Sequence, residues 1–214
     1  MLREGLLFLS NSSGARTLLT GTPLTRSMSR RFVPGETVDD LVRAALEARD
    51  LGLTVTGNYL GEAVREPAAA RAAADTYLEL LDRFHQEGLE GNASLKFTQM
   101  GQDIDEGVLR ENLGRILEKA KETDAFLRFD MESSAYTDRT LDAFQELWDQ
   151  GWRNIGVVLQ AYLKRTAGDV RRMIDLGARV RLCKGAYAEP PKLAYQEMSR
   201  IRESFVELMG WLLR

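Results

Sequence analysis

The chain is poor in the residues that build covalent or metal cross-links. One cysteine, Cys183, in 214 residues excludes an intrachain disulfide and any multi-cysteine zinc or iron–sulfur site. One histidine, His85, leaves no histidine-rich metal centre, so no metal is expected. Neither sign of charge dominates: 29 basic residues face 32 acidic ones, for a net charge of -3. A nucleic-acid binder normally carries a basic stripe, and none is visible here. No apolar run approaches the ~18–20 residues of a membrane helix, and Leu6-Leu7-Phe8-Leu9 is too short for a signal peptide. At most peripheral membrane contact is expected. What is present, 44% hydrophobic and 29% charged residues, suits a soluble, cytoplasmic, thiol-poor protein with a sizeable core.

Residues 1–35 differ from the rest. An apolar opening passes through Asn11-Ser12-Ser13-Gly14 into a basic stretch with Arg26, Arg30 and Arg31. This reads as one or two small helices and a loop, ahead of a main body at 36–214.

From residue 36 a regular alternation begins. Val38, Leu41, Val42, Ala45 and Leu46 recur at helical spacing before Leu51-Gly52. Leu53-Thr54-Val55-Thr56 reads as a short strand, and Pro67 opens a helix that turns Tyr77, Leu81 and Phe84 inward. Strands are then expected at 93–98, 125–130, 154–160 and 179–184. Between them lie helices marked by Ile104 to Leu117, by Leu141 to Trp148, and by Val170, Met173 and Ile174 behind a Thr166 cap. A last helix follows Pro190-Pro191, with Leu193, Met198, Ile201, Phe205, Leu208 and Leu212 on one side.

That alternation is the signature of a parallel sheet covered by helices, α/β in class. An open doubly wound sheet would carry a GxGxxG turn after its first strand, which Gly57-Asn58-Tyr59-Leu60-Gly61 lacks. A (β/α)8 TIM barrel collects polar residues at the C-terminal ends of its strands. Lys96, Asp130 with Glu132, Gln160, and Arg181 with Lys184 all stand at such ends. The barrel is therefore preferred. Only about five βα units are present, and roughly ninety residues of a full barrel are unaccounted for after Arg214.

Charges at buried strand ends need partners. Lys96, Arg181 and Lys184 against Asp130 and Glu132 form either a ring of compensating ion pairs or a mouth that binds an anion and a cofactor. The segment Arg181-Leu182-Cys183-Lys184-Gly185-Ala186-Tyr187 is the most informative. Gly185 permits close approach of the backbone to a bound group, and Tyr187 offers a ring and a hydroxyl. Cys183 reads as a small apolar residue, His85 as a surface residue, and Trp148, Trp152 and Trp211 as packing residues. Lys96 or Lys184 also fits a Schiff-base lyase, and a non-catalytic barrel fragment is a third reading.

Phe129-Asp130-Met131-Glu132, Val158-Leu159-Gln160-Ala161-Tyr162 and Arg181-Leu182-Cys183-Lys184-Gly185-Ala186-Tyr187 resemble successive strand motifs of the proline dehydrogenase family, monofunctional bacterial type. Arg31-Phe32-Val33-Pro34-Gly35-Glu36, Leu60-Gly61-Glu62 and Ser94-Leu95-Lys96-Phe97-Thr98-Gln99-Met100-Gly101 match it in the same order. The resemblance implies a distorted barrel that holds FAD and oxidises L-proline to Δ1-pyrroline-5-carboxylate, with a membrane quinone as electron acceptor. By the same resemblance, Lys96 pairs with the substrate carboxylate and Tyr187 shapes the proline pocket. Asp130 sits in the catalytic mouth, Met131 lines the flavin, Gln160 hydrogen-bonds its ring, and Arg181 stands beside N5. Lys184, Gly185 and Ala186 contact the ribityl and phosphate portion. Two departures stand out. Asn58 occupies the place where the family generally has an acidic residue. The family's sixth strand and its final helix with paired arginines have no counterpart, which implies a C-terminal truncation, weak FAD retention and negligible turnover by the 214 residues alone.

Overall fold

A computed structural model describes residues 33–214, so the expected helices of the N-terminal stretch and its Arg26, Arg30 and Arg31 lie outside the described residues. The chain divides into a unit ending at Glu47 and a unit beginning at Ala48. In the first, Thr37 starts helix α1 (Val38–Asp50): its hydroxyl accepts from the Asp40 N–H at 3.1 Å and donates to Asp40 Oδ2 at 2.9 Å. This side-chain pairing satisfies backbone donors that a helix start leaves open.

The second unit carries β1 (Gly57–Asn58), α2 (Pro67–Gln86), β2 (Asn92–Leu95), α3 (Glu106–Glu122) and β3 (Phe126–Phe129). It continues through α4 (Ser134–Asp149), β4 (Ile155–Gln160), α5 (Thr166–Leu176), β5 (Arg179–Cys183) and α6 (Met198–Leu212). The five strands are parallel and ordered β1-β2-β3-β4-β5, without the reversal that defines a doubly wound sheet. This is the consecutive order expected of a barrel segment.

The pleat separates two faces. Leu95, Phe129 and Val157 are neighbours in register, all fully or almost fully buried. Phe129 meets Phe144 of α4 edge-on at 6.3 Å, so this face packs against helices. The other face bears the row Asn58, Ser94, Arg128, Gly156 and Arg179. One pleat further towards the strand ends it bears Arg181, opposite Val158. The first face thus carries the aromatic core with Phe129, whereas the second is mixed, with Arg128 and Arg179 stacked on Phe126.

Several boundaries differ from the sequence reading. Leu53 to Thr56 are not strand; the ladder begins at Gly57, where only Gly57↔Ala93 and Asn58↔Ser94 pair. β-Branched residues favour extended backbone, but a strand exists only where a partner offers hydrogen bonds. Thr166 does not cap α5 but is its first helical residue, with its hydroxyl donated to Gln160 O at 2.6 Å. Ile104 precedes α3, whose true cap is Asp105, accepting from the Gly107 and Val108 N–H groups. Leu193 lies before α6 beside an antiparallel bridge, Leu163↔Ala194, and only Ile201 and Leu208 of that helix are buried.

Candidate functional site

Lys96 and Asp130 each follow directly on a strand whose last residues, Leu95 and Phe129, are paired, so the two emerge side by side. Lys96 Nζ stands 4.0 Å from Asp130 Oδ2. Arg181 reaches across from β5 and donates from Nη2 to the other oxygen, Oδ1. Asp130 is largely enclosed, with 14% of its side chain exposed, while Arg181 keeps 41% open. Asn58 and Ser94 complete the surroundings of Oδ2, each donating at 3.4 Å. The charges are fixed by side chains from four strand units, which gives the cluster little freedom to relax.

A second group lies beside it. Gln160 is 3% exposed, and its Nε2 donates to Met131 O at 3.1 Å and Glu132 O at 2.7 Å. Both partners only accept, so the orientation of the amide is determined. Its Oε1 is buried and has no partner among the described residues. Glu132, 4% exposed, accepts from the Thr98 hydroxyl at 2.6 Å and the Thr98 N–H at 3.3 Å. Burial raises its carboxyl above the usual value, against the opposing pull of those hydrogen bonds and of Lys96.

Thr98 also anchors the Leu60-Gly61-Glu62 loop, because its hydroxyl accepts from the Ala63 N–H and its carbonyl from the Val64 N–H. Glu62 accepts in turn from the Tyr187 hydroxyl at 3.2 Å. Burial, ahead of the charges of Glu62 and Glu132, raises the Tyr187 phenol well above its ordinary range. Two residues on, Glu189 accepts from the Ser134 N–H and hydroxyl at the start of α4. The loop after β5 is therefore tied to the segment after β1 through Tyr187 and to the start of α4 through Glu189.

The residues expected from the sequence divide accordingly. Lys96, Asp130 and Arg181 form one cluster, with Met131 buried next to it and Gln160 fastened to the same loop. Tyr187 is half-buried against Glu62. Lys184 and Ala186 are exposed, and the Lys184 ammonium makes no ion pair to a described residue, so Lys184 stands at its strand end outside the Lys96–Asp130–Arg181 contacts. Gly185 has φ +111°, and a Cβ there would run into the Tyr162 ring. Its immediate reason for being glycine is this protein contact. Cys183 is partly buried, which raises its thiol, as suits a packing residue. His85 is exposed, and the described residues contain no group of side chains suited to a metal. Ser94 and Thr98 belong to a motif of the family resemblance but, like Glu189, have no role assigned from the sequence. Register with Asn58 and Arg128 is what brings Ser94 into the site.

The family profile of proline dehydrogenase matches residues 41–200. The chain belongs to the proline dehydrogenase family. It is 34% identical over 197 residues to proline dehydrogenase 1 of Bacillus subtilis strain 168, covering 92% of this chain and 65% of the relative. It is 33% identical over 189 residues to proline dehydrogenase of Deinococcus radiodurans, covering 86% and 60%. The chain thus spans somewhat less than two thirds of the length of these relatives. In fold it resembles proline utilization A of Bdellovibrio bacteriovorus inactivated by N-propargylglycine, with a TM-score of 0.80, 23% identity, and 88% of this chain and 24% of that one covered. Proline utilization A of Corynebacterium freiburgense gives 0.73 at 24% identity over 88% of this chain and 22% of that one. The proline dehydrogenase family is a TIM-barrel flavoprotein family, and the five parallel strands described here have that architecture.

Proposed function

We propose that the chain contributes the substrate- and flavin-facing side of a proline dehydrogenase that oxidises L-proline to Δ1-pyrroline-5-carboxylate. The observation that carries this reading is the Lys96–Asp130–Arg181 cluster, two cations on one carboxylate at the strand ends. Family membership supports it independently.

The residues fit FAD. The orphaned, buried Oε1 of Gln160 is an acceptor looking for an N–H, and the flavin ring offers one on its imide nitrogen. Arg181 has guanidinium nitrogens to spare beyond the one given to Asp130, and these suit the electron-rich side of the ring. Met131 supplies apolar surface, and Lys184, Gly185 and Ala186 would contact the ribityl and phosphate portion. When bound, FAD would supply the hydride acceptor for oxidation of the proline ring and the relay of electrons to a quinone.

The protein's own contribution is charge and orientation. Lys96 holds the substrate carboxylate, and Tyr187, pinned by Glu62, bounds the pocket for the ring. Asp130 restrains Arg181 so that its charge stays directed at the site, where a preorganised cation is worth most. A Schiff-base role is not favoured, because Lys184 is open to solvent and Lys96 faces a carboxylate, whereas an amine nucleophile needs desolvation or a cationic neighbour. A membrane quinone requires no more than peripheral contact. Among the described residues no helix is long and apolar enough to cross a bilayer.

The test is to titrate the purified protein with FAD and assay it with L-proline and an artificial dye acceptor. Proline-dependent reduction of the dye is expected wherever FAD is retained, and the 214 residues alone are expected to retain it weakly. Stoichiometric flavin that L-proline does not reduce would contradict the substrate.

A further inference from the structure

One residue receives both ends of the loop that follows β5. Tyr162 lies just beyond β4, and its N–H donates to Lys184 O at 2.9 Å, where the loop leaves the sheet. Its carbonyl accepts from the Tyr195 N–H at 2.8 Å, where the loop returns. Ala161 and Lys164 add to this: the Ala161 N–H donates to Cys183 O at 2.8 Å and the Lys164 N–H to Leu193 O at 2.9 Å. Residues 161–164 therefore act as a short rail that closes the loop from Lys184 to Tyr195 into a hoop.

The Tyr162 side chain has a separate part in this. It is 5% exposed and packs with Leu163, Ala194, Ile201 and the partly buried Tyr195. Its ring also lies so close to Gly185 that no Cβ fits between them. A glycine at φ +111° has the widest choice of backbone conformations, so the turn it makes needs a surface to define it. The ring is that surface. The hydroxyl lies near the Tyr187 backbone, is buried, and makes no hydrogen bond to a described residue. What Tyr162 contributes is therefore the ring.

The hoop carries Lys184, Gly185 and Ala186, assigned above to the cofactor, and Tyr187, assigned to the substrate pocket. Further along, Tyr187 donates to Glu62 at 3.2 Å and Glu189 accepts from Ser134, which fixes those two side chains but not the turn before them. We propose that Tyr162 is a positioning residue: its ring holds the Lys184–Tyr187 turn in the conformation that meets cofactor and substrate. The identity of those ligands rests on the proline-oxidation reading above.

The test combines hydrogen exchange of the amides of residues 185–195 with FAD titration, at a temperature where every variant is folded. It compares wild type, Tyr162→Phe, Tyr162→Leu and Phe84→Leu, the last a buried residue on α2. Tyr162→Leu keeps the backbone bonds and loses the ring. It should speed exchange across the loop and raise the Kd for FAD, each about tenfold or more. Tyr162→Phe keeps the ring and should restore both to near wild type. Phe84→Leu should lose melting temperature with neither local change, which separates positioning from packing. If Tyr162→Leu does not fold, Gly185→Ala strikes the same contact from the other side and should show the same two changes. Unchanged loop exchange, FAD affinity equal to wild type, or Tyr162→Phe behaving like Tyr162→Leu would overturn the proposal. Wild-type protein that takes up no FAD contradicts the flavin reading instead. The exchange measurement needs no ligand and then decides the positioning role by itself.

Discussion

Asp130 serves two cations unequally: Arg181 is hydrogen-bonded to Oδ1, while Lys96 stands 4.0 Å from Oδ2. One cation is held and the other is presented. Removing the carboxylate releases both, so Asp130→Ala should slow proline-dependent flavin reduction by about 10²–10³-fold, the scale of losing a preorganised electrostatic contact. Rapid mixing of the FAD-loaded variant with L-proline under anaerobic conditions measures this directly. A reduction rate within a few-fold of wild type would show that Arg181 needs no partner.

Gln160 ties the end of β4 to one loop, because both carbonyls its amide satisfies are on the Met131–Glu132 turn. Gln160→Leu leaves those carbonyls without a side-chain donor at a buried site, at a cost of about 1–3 kcal/mol of stability. It also removes the acceptor assigned to the flavin ring. Urea unfolding and FAD titration should therefore both weaken, whereas a role in packing alone would change only the first.

Gly185 combines a positive φ with a contact that admits no Cβ. Gly185→Ala has to move Tyr162 or rebuild the turn, and overpacking of this kind costs about 1–3 kcal/mol. Thermal unfolding should show the loss. FAD affinity should fall with it, because Lys184 and Ala186 are carried on the same turn.

Glu132 gives a pH signature. Its folded pKa is raised by burial, so its contribution to stability is complete below its ordinary value of 4.5 and is lost as pH rises through the higher folded value. Wild-type melting temperature should decline over that window. In Glu132→Gln the decline should flatten, although the variant starts lower at acidic pH because one of the two Thr98 hydrogen bonds loses its acceptor. Curves that stay parallel would show that Glu132 titrates normally.

The strands and the polar strand ends were legible in the sequence for physical reasons. β3 and β4 lie within a residue of their expected limits because the apolar stretch and the strand coincide, and β5 does so although it alternates arginines with apolar residues from an exposed Arg179. β1 was not legible, because two residues pair there and a neighbouring β-branched stretch does not. Lys96, Asp130 and Arg181 announce themselves as charges at strand ends, and the parallel register does the rest. Asn58 stood out only as a departure from the family pattern. Its contact with Asp130 depends on two strands lying side by side, which spacing along one strand does not reveal. Gly185 was legible as a place of close approach, but the group approached is the Tyr162 ring.

The central claim is that this cluster prepares L-proline to transfer a hydride, with Arg181 supplying charge stabilisation when the electrons arrive. The most direct measurement is anaerobic stopped-flow mixing of L-proline with the FAD-loaded protein, for wild type and Arg181→Met. The account predicts bleaching of the oxidised flavin band in wild type and a reduction rate lower by about 10²-fold or more in Arg181→Met, with its melting temperature little changed. Equal reduction rates in the two proteins would contradict it.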